Sequence, residues 1–187
     1  VGDGDTIAPI RVRDPAEVAR VLARLAELRA DWLQGAAAVP IESHAMISDL
    51  RTLALVTPDA RVSWYCVPRL DSPALFAELV DGPAAGRWAI RPAVTEVVAP
   101  TQRYVGDSMV VETIWPECRV VDFLDVADGR SWQRAGRSDL IRLVTGRGQA
   151  VVEFAPRLDF GRVPTRLVPR DGGLEVEGAV VPIVLGV

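Results

Sequence analysis

The chain has neither lysine nor asparagine, and all 21 of its basic residues are arginine. That bias is the mark of a GC-rich genome rather than of a function. Histidine is nearly absent too: His44 stands alone, and Cys66 and Cys118 are the only cysteines. A Cys/His cluster with zinc-ligand spacing is therefore excluded, and neither a metal nor any other cofactor is expected. A net charge of −4 leaves no basic face for a phosphate backbone, so nucleic acid is not an expected partner. Apolar runs are short. None approaches the ~20 residues of a membrane-spanning helix, and no signal-peptide pattern opens the chain, so neither a membrane nor export is expected. Both cysteines fall in strand-like stretches. They read as buried thiols in a reducing, cytoplasmic setting, with a disulfide as the alternative. The first residue is Val1 rather than Met, and the expectation is a segment of a longer polypeptide.

What is present is 187 residues, 49% of them hydrophobic, enough for a real core. Residues 1–40 read as a tail, a helix and a linker. Asp14 is placed to cap a helix with Pro15 at its first position and Glu17 three residues beyond the cap. Val18, Val21, Leu22, Leu25 and Leu28 then recur at helical spacing, which predicts an amphipathic helix to about Gln34. After Pro40 the period becomes that of strands. These are expected near 44–56, 61–67, 87–98, 101–106, 108–115, 118–126, 138–146, 149–156, 164–169, 173–178 and 180–187. Short strands separated by regular turn signals predict an all-β fold, a large antiparallel sandwich over 41–187.

Residues 43–76 are the most informative. Leu53, Ala54, Leu55 and Val56 form an apolar run, and Thr57, Pro58, Asp59 and Ala60 supply a turn. A second strand, rich in β-branched and aromatic residues, returns to Val67. Pro68 stops it, and Asp71 or Ser72 is placed to cap a short helix starting at Pro73. This stretch resembles the opening of glycoside hydrolase family 15 proteins, the glucoamylases and trehalases. The resemblance continues through Ala89-Ile90-Arg91-Pro92, Gln102-Arg103-Tyr104, Val111-Glu112-Thr113, Val121-Asp122-Phe123 and the run from Phe154 to Arg162. It departs at Ala60 and Ser63, where that family usually has Gly and Asp. The resemblance implies a supersandwich-like N-terminal domain that precedes a catalytic (α/α) barrel and acts, through it, on an α-glucoside. The two catalytic glutamates implied by the family belong to the barrel, so no catalytic residue is assigned here. A second, shorter likeness covers residues 11–25, which resemble the closing strand and helix of trehalose-6-phosphate phosphatases and imply a phosphatase–hydrolase fusion.

Asp49, Arg51, Trp64, Arg69 and Asp71 are the candidate substrate- or domain-contact residues. Arginine forks suit sugar hydroxyls or a carboxylate on a neighbouring domain, and an indole face suits the apolar face of a sugar. The alternative is an ion-pair network that locks the 66–73 loop, with Trp64 in the core. A different class of function, an independent carbohydrate-binding module, requires exposed aromatic side chains in a row. Burial of the tryptophans excludes it.

Overall fold

A computed structural model describes residues 39–94, 98–126 and 136–186. The helix expected over 15–34, and with it the phosphatase-like stretch, lies outside these residues. The chain divides into two units, Val1–Ala38 and Val39–Val187, and the architecture is that of the second.

The polypeptide enters through a 3₁₀ turn at Ile41–Ser43 and then forms thirteen strands among the described residues. The first sheet contains β1 (Ala45–Ser48), β2 (Leu53–Val56), β3 (Arg61–Cys66), β5 (Arg87–Pro92) and β10 (Ala150–Ala155) in that order, with β4 (Ala74–Phe76) paired to the end of β3. The second has the order β6 (Thr101–Tyr104), β7 (Val111–Ile114), β8 (Cys118–Leu124), β9 (Leu140–Gly146). A small third sheet holds β11 (Arg166–Arg170), β12 (Gly173–Glu177) and β13 (Val184–Gly186). Every strand pairing is antiparallel. The all-β expectation holds.

Alternation sets the layers. Ala45, Ile47, Ala54, Val56, Val62 and Tyr65 from the first sheet meet Val111 and Leu124 from the second in one core cluster. Ile90 joins Trp115, Cys118 and Val120 in another. Phe76 and Phe154 meet edge to face at 5.7 Å, and Phe154 does the same with Trp88 at 5.4 Å. Cys66 and Cys118 are both buried and unpaired, and burial pushes both thiols above their ordinary range.

Between the sheets lies an ion pair with no solvent exposure on either side chain, Arg142 of β9 with Asp122 of β8. Arg142 Nε donates to Asp122 Oδ1 at 2.8 Å. Its two terminal nitrogens donate to the carbonyls of Trp88 at 2.5 Å and Ala60 at 2.6 Å. The guanidinium also lies 5.2 Å from the centre of a Trp88 ring. One side chain thus ties the second sheet to the backbone of the first.

Two local expectations are corrected. The single strand expected at 44–56 is two strands, because the Asp49 carboxylate captures the amides of Arg51 and Thr52 and turns the chain between them. No helix begins at Pro73. Ala74–Phe76 pairs with β3 instead, since all three residues are buried and extend the sheet, and one helical turn, α1 (Glu78–Asp81), follows. Tertiary pairing here overrides a capping signal.

Candidate functional site

Three loops converge at one end of the first sheet. Asp49 is the hub. Its Oδ1 accepts the amides of Arg51 at 3.0 Å and Thr52 at 2.9 Å, and its Oδ2 accepts the Ser138 hydroxyl at 2.7 Å. Ser138 Oγ also lies 3.3 Å from the Pro68 carbonyl, and the Leu70 amide donates to the Arg51 carbonyl at 3.0 Å. The Asp49 carboxylate therefore braces the loops at 49–52 and 137–139, and Ser138 with the Arg51 carbonyl ties the 67–72 loop to them. Arg51 Nη1 completes the bracing by donating to the Arg137 carbonyl at 3.2 Å.

On this base Leu50, Arg51, Arg69, Leu70 and Asp71 surround an open concavity of about 490 Å³. Arg69 and Asp71 form a two-pronged pair, Nε to Oδ1 at 2.9 Å and Nη2 to Oδ2 at 3.1 Å. The hydrogen bond from Arg69, and then its charge, hold the Asp71 carboxyl below the usual carboxylate range. The pair is well exposed, so its value is presentation of a fixed fork rather than stability. Beside it Leu50 is 97% exposed and Leu70 56% exposed. Leu50 has φ +68°, a left-handed conformation unfavourable for a side chain of its kind. The conformation belongs to the turn between β1 and β2, and it leaves the apolar side chain in solvent.

The structure thus brings Asp49, Arg51, Arg69 and Asp71 together. Asp49 is the brace and not part of the lining. Trp64 is elsewhere: it packs half-buried over Cys66, Ala74, Ala77 and Ala85 and stands 6.0 Å from the Phe160 ring. Leu50, Leu70 and Ser138 had no signal in the sequence. A leucine gives no sign of exposure, and Ser138 lies 89 positions from the carboxylate it holds.

One group beneath the loops is perturbed. Burial above all, then the charges of Asp49 and Asp139, push the Tyr65 hydroxyl far above its ordinary value. The same hydroxyl has no hydrogen-bond partner among the described residues. Elsewhere, buried carboxylates are matched to arginines. Glu112 pairs with Arg103 and Arg119, and Glu78 with Arg61 and Arg87. Among the described residues no cluster of His, Cys, Asp and Glu could hold a metal ion, and no helix is long and apolar enough to cross a membrane.

A two-sheet antiparallel sandwich with a cross-braced loop surface defines a β-sandwich module. The comparisons give its family: residues 27–187 match the model of the trehalase-like N-terminal domain, and the chain belongs to that family. A trehalase of Mycobacterium tuberculosis is 38% identical over 76 residues, 41% of this chain and 11% of that protein. A trehalase of Mycolicibacterium smegmatis is 37% identical over the same length and shares. Trehalase 2 of Sulfolobus acidocaldarius is 26% identical over 134 residues, 71% of this chain and 21% of that protein. The chain thus spans between a tenth and about a fifth of these relatives' length. No solved structure matches it.

Proposed function

We propose that residues 41–187 are the noncatalytic N-terminal domain of a glycoside hydrolase family 15 protein of the trehalase or glucoamylase type. Its role is to support and shape a C-terminal catalytic barrel that hydrolyses an α-glucoside. The observation that carries this reading is the family match over most of the chain, set beside trehalases as relatives that are several times longer. The pairing of the buried carboxylates Asp122, Glu112 and Glu78 with arginines also supports it. Inversion needs an acid and a base about 6.5–9.5 Å apart across a cleft that admits water, and carboxylates neutralised in this way are spent on structure.

The face formed by Leu50, Leu70, Arg51, Arg69 and Asp71 is the surface proposed to meet the barrel. It offers apolar tips within a charged rim, the composition of a docking patch. The likeness of residues 11–25 to a phosphatase terminus extends the proposal to a fusion of two activities on trehalose, which the complete reading frame tests. The alternative of an independent carbohydrate-binding module finds less support. Trp115 is buried and Trp64 and Trp88 are half-buried, so no described tryptophan offers an open platform.

Glucose release from trehalose and maltose by the purified 187-residue chain is the test. The expected result is none above buffer background. Release that rises with protein concentration and survives repeated purification overturns the noncatalytic reading.

A further inference from the structure

Strand edges in this fold are treated in two different ways. β1 is a short edge, and the Tyr104 hydroxyl occupies both its Met46 amide, at 2.8 Å, and its Met46 carbonyl, at 3.0 Å. β6 is four residues long and mostly polar (Thr101, Gln102, Arg103, Tyr104). β13 is three residues long and ends in glycine. These edges are capped, short or polar, which are the usual defences against pairing with another chain.

β9 and β10 have no such defence. They follow one another directly, joined across 147–149, yet do not pair. β9 closes the second sheet and β10 the first, so among the described residues each has one free edge. They are seven and six residues long, in unbroken register with β8 and β5, without proline and without a bulge. Their charges do not guard them: Arg142 is consumed inside the sandwich by Asp122, and Glu153 is held by Arg87. Four of their apolar side chains are exposed. Val144 lies on the same face of β9 as the buried Arg142 side chain, and Val152 on the same face of β10 as Phe154, which packs against the core. Both valines face inward, yet they remain 41% and 54% exposed. Leu143 and Val151, on the opposite faces, are exposed as well. Among the described residues the sandwich is open along the side where its two sheets change over.

We infer that this open side is a strand-acceptor site that takes an extended, alternately apolar segment from the part of a trehalase-type polypeptide lying outside these 187 residues. The chemistry of the opening selects the occupant. A free row of backbone donors and acceptors is satisfied along its length only by another strand, and inward valines require apolar residues at every second position of that strand. The source follows from the relatives, in which about four-fifths or more of the length lies outside the matched segment. The inference rests on the functional reading above but concerns a different surface from the loop face.

The test compares amide hydrogen exchange across residues 140–155 in the 187-residue chain and in the polypeptide encoded by the complete reading frame. Exchange at the free edges of β9 and β10 is expected to be at least about tenfold slower in the longer polypeptide. Val144→Asp and Val152→Asp are expected to leave thermal unfolding of the 187-residue chain nearly unchanged and to lower it in the longer polypeptide. Equal exchange in the two overturns the inference. So does protection that appears in the 187-residue chain and grows with its concentration, which identifies a second copy as the occupant. Trehalose hydrolysis is measured on the same preparations. Hydrolysis without edge protection sinks the acceptor site alone, and edge protection without hydrolysis sinks the functional reading alone.

Discussion

Tyr65 shows how a single group can link the proposed docking face to the stability of the fold. Its ring is stacked 6.5 Å from Phe76 in the core, while its hydroxyl is buried near the charges of Asp49 and Asp139. In the unfolded chain this phenol ionises around its ordinary value of 10.0, whereas in the folded chain it stays protonated well above that. Above pH 10 the unfolded state therefore binds fewer protons than the folded state, and stability falls as pH rises; below pH 10 the contribution is fully present. The expected loss is about 1.4 kcal/mol per pH unit on the alkaline side. Tyr65→Phe should flatten that limb in urea titrations between pH 10 and 11. It should not weaken the chain at pH 7, because the hydroxyl it removes has no described partner. An alkaline limb identical in the variant would show that Tyr65 ionises normally in the fold.

At the scale of the element, the 67–72 loop carries the functional argument. It is held at its base by Ser138 Oγ donating to the Pro68 carbonyl and by the Leu70 amide donating to the Arg51 carbonyl, and internally by the Arg69 amide donating to Ser72 Oγ at 3.2 Å. None of these bonds uses the Arg69 side chain, whose only described work is the exposed pair with Asp71. Arg69→Ala should therefore leave the unfolding midpoint of the 187-residue chain where it is. If the chain belongs to a hydrolase whose barrel this loop positions, as proposed, the same substitution in the longer polypeptide should reduce hydrolysis by about tenfold or more, since small misplacements at a catalytic centre are amplified. Parallel loss of stability in both polypeptides, with the specific activity of the folded enzyme intact, would assign Arg69 to structure. The turn at 57–60 makes a related point. Ala60 adopts φ +57° at the end of the turn, and the register of β2 and β3 shifts farther on, where Val56 pairs with Val62 but Leu55 with Trp64. The family 15 resemblance places a glycine here, and Ala60 takes up the left-handed conformation of the turn in its stead.

For the whole molecule, the Arg142–Asp122 pair adds a polar tie between the sheets to the apolar clusters that already join them. Arg142→Met alone leaves the Asp122 carboxylate buried and uncompensated, an outcome that typically costs roughly 3–5 kcal/mol. Arg142→Met combined with Asp122→Leu should recover most of that, because an apolar pair of similar size avoids the desolvation that the charges must overcome. Chemical denaturation of the two variants decides the matter. A double variant no more stable than the single one would place the cost in the orphaned carbonyls of Trp88 and Ala60 instead.

The all-β class was legible in the order of residues, and so was the hairpin of a strand expected at 108–115 with one expected at 118–126, observed as Val111–Ile114 paired with Cys118–Leu124. Period-two burial and turn residues are local signals, and Cys118, Val120, Asp122 and Leu124 alternate inward as written. Family membership was legible for the same reason, because turns and strand exits recur as short motifs. Tertiary structure alone decided the rest. It made Ala74–Phe76 a strand where a cap and a proline predicted a helix, since a free stretch of β3 was available to pair with it. It left Trp64 half-buried while its neighbour Tyr65 is fully buried, because only one face of β3 meets the second sheet. It placed Leu50 and Leu70 in solvent, Ser138 on Asp49, and Val144 and Val152 at an open seam. Each of these depends on which surfaces meet across long sequence separations, and alternation within a strand says which side a residue faces but not whether anything covers it.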